Sequence, residues 1–257
     1  MRPIEEIAWD LCCLYYSSKS PINSDGKLEY FLVGSLATLP LLCAEKIEDV
    51  IVDENNNVVT VENCQEIDEP TRLIFQQYRR QIHDVDYVSV NSEPNKSGVI
   101  QGLSSITDID TLSSVGQRVI HVSDPREQMC NYNLCRLTYG GRQIIIPSPI
   151  DIVSFKLCQC VGRKRNIAKW SSMSDDERAE RIIRNNTEEY YKQIRDIIPL
   201  LTGIVNLYPI DRISYRTREV LESSSDLDLD LLTDIKNDFE SYPVIIEILN
   251  SLTSKKL

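Results

Sequence analysis

The sequence predicts an α+β protein in which a mixed β-sheet core flanked by helices precedes a helical C-terminal domain. Short apolar runs bounded by turn residues, among them Phe31–Val33 and Ile144–Ile146, are typical of buried strands. From Asp151 onward proline and glycine become sparse, and the pattern becomes helical. A chain of 257 residues can hold two modest domains, which we expect at 1–150 and 151–257.

The front part is expected to mix helices and strands. Residues 3–17 carry apolar side chains at three- and four-residue intervals, which predicts an opening amphipathic helix. The first strand ends at Val33. The acidic stretch 46–69 is interpreted as an insertion with a turn at Asn55–Asn57 between short β-prone runs. The other expected elements are helices at 36–45, 71–80 and 99–115, a strand at 82–90, and two or three antiparallel strands up to Ile146.

The back part is expected to be helical throughout. Ser174 stands three residues before Glu177, which is the spacing of a helix N-cap, and Pro243 suits the first turn of a helix. The expected helices cover 150–162, 175–185, 187–202, 210–223, 227–239 and 243–253.

The turn at Gly34-Ser35 is a candidate phosphate-binding element. It follows an apolar strand and opens a predicted helix. Glycine lets a phosphate approach the backbone closely, and the first N–H groups of a helix are unpaired and favour anions. Ser35 adds a hydroxyl. The alternative is an ordinary strand-to-helix turn without a ligand.

The pair Asp84 and Asp86 is a candidate metal site. Residues two apart in a strand project from the same face, so the two carboxylates repel each other unless a cation lies between them. Magnesium takes oxygen ligands and commonly combines one or two carboxylates with substrate phosphates. The alternative is a solvated strand end.

The two motifs in this order resemble the nucleotidyltransferase superfamily built on the DNA-polymerase-β-like core. The pattern is closest to the AbiEii-type abortive-infection toxin nucleotidyltransferases. The resemblance lies in Arg80-Gln-Ile-His-Asp84-Val-Asp86 and in the later stretch from Ile144 to Lys156-Leu157, which leads from a strand through a Pro/Ser turn into a helix. It covers roughly residues 28–170.

The resemblance implies an enzyme that uses Mg²⁺ or Mn²⁺ to move a nucleoside monophosphate from a nucleoside triphosphate such as ATP to an acceptor hydroxyl. The acceptor would be a tRNA or another RNA end, a protein or a small molecule. The resemblance also implies a toxin of a toxin–antitoxin or phage-defence system, with a cognate antitoxin as partner. The implied residues are Asp84, Asp86 and Lys156 for catalysis, Asp84, Asp86 and Asp124 for the metal, and Gly34, Ser35, Lys156, Arg163 and Lys164 for the nucleotide.

The sequence departs from the family pattern at the third carboxylate. The later strands around Cys135–Tyr139 and Arg142–Ile146 carry no acid. Asp124 is the best substitute, with a loop acid before Pro125 as its alternative. Two alternatives therefore stay open. One is a degenerate family member that binds nucleotide or a partner protein without transfer, and the other is a helical interaction module with Asp84 and Asp86 merely exposed. Lys156 has the alternative of a surface lysine. The basic cluster, which consists of Arg163, Lys164, Arg165 and Lys169, has the alternative of a solvated helix end.

Composition excludes several classes of protein. The net charge of −11 argues against a generic DNA-binding protein, which normally has a basic surface. No apolar run approaches the roughly 20 residues that span a bilayer, and Glu5 and Glu6 interrupt the start where a secretory signal is apolar. We therefore expect a cytoplasmic protein without membrane contact. The eight cysteines lack the spacing of a zinc site and are expected to be buried or free thiols.

Overall fold

A computed structural model describes residues 3–18, 20–28, 30–53, 57–78, 85–89, 119–121, 133–173, 177–224 and 226–253; for 85–89 and 119–121 it describes the backbone. The chain is α+β. It forms two compact units, Met1–Ile152 and Val153–Leu257. The expected helix at 99–115, the strand residues 82–84 and the N-cap Ser174 lie outside the described residues.

The first unit contains all seven described strands. Its helices are α1 (Ile4–Ser18), α2 (Gly34–Thr38) and α3 (Glu69–Phe75), and a 3₁₀ helix at Leu39–Leu42 follows α2 directly. Its strands are β1 (Tyr30–Val33), β2 (Lys46–Val52), β3 (Val58–Glu66), β4 (Val85–Ser89), β5 (Val119–His121), β6 (Leu134–Tyr139) and β7 (Arg142–Pro147).

The described strands form two sheets where one mixed sheet was expected. The first sheet has the order β1-β4-β5, with β1 and β4 antiparallel and β4 and β5 parallel. The second sheet is antiparallel and has the order β3-β2-β6-β7. Leu28 and Phe31 pack with Val50, Leu134 and Ile145, so apolar residues next to or in β1 share one core cluster with the second sheet.

Residues 46–69, interpreted as an insertion with a turn between short β-prone runs, contain two strands of the second sheet. They form β2 and β3, and β2 lies between β3 and β6 in the four-stranded sheet. Ile47 of β2 pairs with Gln65 of β3 on one side and with Leu137 of β6 on the other. The segment is therefore part of the sheet. The pairing with β6 joins residues about 90 positions apart, and local sequence patterns carry no signal for such a contact.

The second unit is helical; two of its five described helices are longer than expected, and the helix expected at 227–239 is shorter. Helix α4 (Pro149–Ser171) begins at the end of the first unit and is followed by α5 (Glu177–Ile204), α6 (Ile210–Ser223), α7 (Leu229–Asn237) and α8 (Pro243–Thr253). The expected bounds of α6 and α8 are confirmed. The break expected at residue 186 is absent. Asn186 is buried within α5, where its Nδ2 donates to the carbonyl of Ile182 and its Oδ1 accepts from Arg163.

Candidate functional site

The turn at Gly34-Ser35 has the local geometry that the sequence predicts. Val33 ends β1 in an extended conformation, and Gly34 follows with φ +65°, a left-handed conformation that favours glycine. Gly34 is exposed and Ser35 is half-buried. Thr38 donates from Oγ1 to the Gly34 carbonyl at 2.9 Å, which ties the turn to the helix behind it. The turn is accessible at its tip and anchored at its base.

The helix after the turn is shorter than expected. Helix α2 has five residues and passes into the 3₁₀ helix at Leu39, where a helix over 36–45 was expected. Pro40 has no N–H to donate and its ring interferes with the preceding turn, so an α-helix cannot continue through it unchanged. A helix dipole of this length adds little, and any anion would depend on the local N–H groups and the Ser35 hydroxyl.

Asp86 lies beside the turn in the backbone register. The antiparallel pairing of β1 and β4 puts Val33 opposite Asp86, and Val33 directly precedes Gly34. Opposite residues in such a pair have Cα atoms about 4.5–5.5 Å apart. Asp84, two residues earlier in the chain, lies outside the described residues. The turn and one member of the Asp-x-Asp pair thus meet at the same end of the first sheet.

A third carboxylate is absent from the described part of this sheet. In the parallel pairing of β4 and β5, Ile120 stands opposite Asp86 and His121 opposite Tyr87. Asp124 comes after the C-terminal end of β5 in the sequence and lies outside the described residues. Within the described ranges no group of three or more His, Cys, Asp or Glu side chains is arranged to hold a metal ion.

Lys156 lies in the helical unit and is bound by a carboxylate. Its Nζ is 2.8 Å from Oδ2 of Asp196, and the two side chains are 12% and 5% exposed. Nζ also donates to Oε1 of Gln193 at 3.4 Å. The alternative of an ordinary surface lysine is therefore wrong. Lys156 stays a predicted phosphate ligand only on condition that it leaves this ion pair.

The other two predicted basic ligands also have partners within the helical unit. Arg163 donates to Oδ1 of Asn186 at 3.3 Å. Lys164 lies 3.6 Å from Oδ2 of Asp238 and 4.7 Å from the centre of the Tyr190 ring. The hydroxyl of Tyr190 donates to the same Asp238 oxygen at 2.5 Å. These contacts connect α4 with α5 and with the segment after α7, so the basic cluster takes part in packing.

Helix α1, which the sequence predicts as an amphipathic helix, makes two contacts with the candidate site that its sequence pattern does not predict. Cys12 donates from Sγ to the carbonyl of Leu36 at 3.1 Å, and the Leu32 amide donates to the hydroxyl of Tyr16 at 3.2 Å. Positions 12 and 16 are one helical turn apart and face the same way. That spacing was a usable signal, but what the face contacts is decided by tertiary structure.

Most cysteines of the described residues are buried, as expected. Burial raises the pKa of the Cys12 and Cys135 thiols well above their ordinary value, and it also raises that of Cys160. Such thiols stay protonated at neutral pH and behave as small apolar groups.

None of the described helices is both long and apolar enough to cross a membrane.

Comparison of the chain with protein-family models, with curated proteins and with solved structures gives no match in any of the three.

Proposed function

We propose that this protein is a metal-dependent nucleotidyltransferase that moves a nucleoside monophosphate from a nucleoside triphosphate to an acceptor hydroxyl. One observation carries the proposal. Val33 pairs with Asp86, so the backbone of an Asp-x-Asp acid lies beside the exposed Gly34-Ser35 turn. A triphosphate with its metal needs both parts close together: donors for the phosphate oxygens and carboxylates for the cation.

The donor set fits Mg²⁺ or Mn²⁺. Asp84 and Asp86 offer carboxylate oxygens, which these hard cations prefer, and magnesium commonly takes one or two carboxylates together with substrate phosphates. Two protein carboxylates therefore suffice for one ion, with Asp124 as the proposed third ligand of a fuller site. When bound, the ion offsets negative charge on the phosphates and on the entering and leaving oxygens.

The proposed reaction uses the chain mainly for positioning. Gly34, which lacks a side chain, lets the β- and γ-phosphates approach the backbone N–H groups, and Ser35 donates its hydroxyl. Asp84 and Asp86 fix the metal side of the triphosphate. The acceptor oxygen forms a bond to the α-phosphorus, the bond to the β-phosphate oxygen breaks, pyrophosphate leaves and the acceptor proton passes to solvent.

The acceptor, the nucleotide preference and the biological setting are proposed from the resemblance alone. A tRNA or other RNA end, a protein hydroxyl and a small molecule are all compatible with the proposed chemistry. A role as the toxin of a toxin–antitoxin or phage-defence pair, with a cognate antitoxin, follows from the same resemblance, and the cytoplasmic location is proposed from the sequence pattern.

A radiolabel experiment tests the proposal. The full chain is incubated with each of the four α-³²P-labelled triphosphates, Mg²⁺, total RNA and a protein extract, and label in macromolecules or in smaller products is measured. We expect transfer by wild type, loss on chelation with EDTA, and a loss of about a hundredfold or more in Asp86→Asn. Glu66→Gln, which changes an exposed acid at the end of β3, is the matched control and should retain activity.

One observation favours the second candidate, a nucleotide-binding protein without transfer. Ile120 stands opposite Asp86, and no described residue of β5 carries a carboxylate. This candidate predicts a rise in melting temperature with MgATP or another Mg-nucleotide that Asp86→Asn abolishes, while no label is transferred. If wild type neither transfers label nor is stabilised by any of the four nucleotides, both candidates are wrong.

A further inference from the structure

Helix α1 contacts the backbone on both sides of the Gly34-Ser35 turn. Tyr16 binds Leu32, two residues before Gly34, and Cys12 binds Leu36, directly after Ser35. Both contacted residues are buried, with Leu32 at 0% and Leu36 at 1% exposure. The two positions of α1 therefore hold the ends of a five-residue segment whose middle carries the exposed glycine.

The Tyr16 hydroxyl makes two hydrogen bonds at once. It accepts from the Leu32 amide of β1 at 3.2 Å and donates to the Ile145 carbonyl of β7 at 2.5 Å. Strands β1 and β7 contact each other but belong to different sheets. A single hydroxyl thus joins two backbone groups of neighbouring strands. Because buried backbone groups need partners, this hydroxyl is a fixed part of the support for β1.

The Cys12 contact holds the other side of the turn. Its thiol donates to the Leu36 carbonyl, and burial keeps the thiol protonated, which a donor must be. A thiol is a weak donor, so the contact contributes mainly by packing at a site that is 0% exposed. Tyr16 is the stronger of the two contacts and the better one to test.

We propose that Tyr16 is a positioning residue for phosphate binding at the Gly34-Ser35 turn, with Cys12 as its second support. The inference rests on the proposed function, because it assigns a role within that same site. A turn whose ends are held in place loses less conformational entropy when a triphosphate binds, so its support acts on nucleotide affinity. Tyr16 acts through its hydrogen bonds to the strand backbone and need not touch the nucleotide to have this effect.

The test compares two tyrosine variants that each lose only a hydroxyl. Tyr16→Phe removes both bonds to β1 and β7. Tyr139→Phe, the matched control, removes the contact of a β6 hydroxyl with Glu6 of the same helix, at 3.3 Å. We expect Tyr16→Phe to raise the KM for the transferred nucleotide about tenfold with kcat nearly unchanged, as for the loss of one or two hydrogen bonds, and Tyr139→Phe to leave both within twofold.

A second measurement needs no activity. Amide hydrogen exchange in the segment 30–36 should become about tenfold faster in Tyr16→Phe and stay unchanged in Tyr139→Phe. Because the Cys12 contact acts mainly by packing, Cys12→Ser and Cys12→Ala should each raise the KM by no more than a few fold.

The outcomes separate the inference from the proposed function. Equal KM and equal exchange in wild type and Tyr16→Phe would overturn the inference while transfer by wild type upholds the function. A purely structural role of Tyr16 would lower the melting temperature and leave KM unchanged, which also overturns the inference. Failure of wild type to bind any nucleotide would overturn the function, and this inference with it, even if exchange shows that Tyr16 holds β1.

Discussion

Two regions of the molecule carry the predicted phosphate ligands. They differ in whether the polar groups are buried and paired or exposed to solvent. In the helical unit, Lys156 is largely buried and lies 2.8 Å from the carboxylate of Asp196. In the first unit, Gly34 is exposed and its left-handed backbone forms a turn between a strand and a short helix. The first region neutralises its charge internally, and the second presents polar backbone to solvent.

The difference indicates which residues are available for a ligand. A buried cation that already has a carboxylate partner gains little from a phosphate, because the exchange leaves the carboxylate buried and unpaired. The turn has no such penalty, since its exposed groups exchange only water for phosphate oxygens. The comparison therefore favours Gly34 and Ser35 over Lys156 as nucleotide ligands. The following experiments test this difference between the two regions.

The largest effect is expected from Asp196→Ala. It leaves Lys156 buried without its carboxylate, and losing one partner of a buried ion pair costs about 3–5 kcal/mol of unfolding free energy. Urea unfolding followed by circular dichroism measures it. Glu189→Gln, at the half-exposed pair with Lys192, should cost no more than about 0.5 kcal/mol.

A double variant completes this prediction. Lys156→Met with Asp196→Leu replaces the pair by apolar groups and should recover most of the lost stability. If Asp196→Ala alone lowers the unfolding free energy by less than about 1 kcal/mol, the ion pair is not structural and Lys156 is available for phosphate. That result would contradict the contrast drawn between the two regions.

A smaller effect is expected from Gly34→Ala. An alanine at φ +65° costs roughly 1–2 kcal/mol of stability, and Gly140→Ala at φ +55° in the β6–β7 turn should cost about the same. A Cβ at Gly140 would meet no atom within 4 Å, so the backbone conformation alone sets its cost. Thermal unfolding gives the stability of both, and calorimetry with a Mg-nucleotide gives the affinity.

The two glycine variants should differ in affinity. Only Gly34→Ala should weaken nucleotide binding, because only this turn faces the proposed ligand. Equal weakening by Gly140→Ala would mean that the turn at Gly34 has no special role in binding.

The smallest effect is expected at Asp68, the exposed N-cap of α3. Hydrogen bonds from Thr71, first from its side chain and then from its amide at 2.9 Å, lower the pKa of Asp68 below its ordinary value of 3.8. A lowered folded-state pKa stabilises the protein above the ordinary pKa, and the contribution is lost as the pH falls through the lowered value.

Asp68→Asn keeps a capping oxygen but cannot titrate. Melting temperatures measured from about pH 6 down to about pH 3 should therefore fall more steeply for wild type than for Asp68→Asn below about pH 4. Parallel curves for the two proteins would contradict this prediction. Because the Asp68 carboxylate is fully exposed, its small effect contrasts directly with that of buried Asp196.

Several elements could be predicted because their signals are local. Helix α8 begins at Pro243, whose fixed φ and missing N–H suit a first turn, and its bounds are as expected. Helix α6 likewise has the expected bounds. The turn at Gly34 after the apolar strand could also be predicted, since the Gly-Ser step alone indicates a turn there, and Gly34 has a left-handed conformation.

Other elements were mispredicted where distant contacts decided the outcome. Helix α4 was expected to end at 162 but continues through Gly162 to Ser171. Beyond Gly162, Lys164 and Arg165 bind carboxylates from other parts of the helical unit: Asp238 at 3.6 Å and Asp226 at 2.9 Å. These contacts help stabilise the part of α4 beyond Gly162, for which the local sequence pattern alone does not predict a helix.

Local sequence patterns predict the α+β class, the helical character of the back part and the turn at Gly34-Ser35, because each depends on periodicity or backbone preference over a few residues. The tertiary structure alone sets the pairing of β2 with β6, the position of Asp86 opposite Val33 and the ion pair of Lys156 with Asp196. These contacts join residues that are 40 to about 90 positions apart. They form because burial and pairing are satisfied for the fold as a whole, which no local window of the sequence reports.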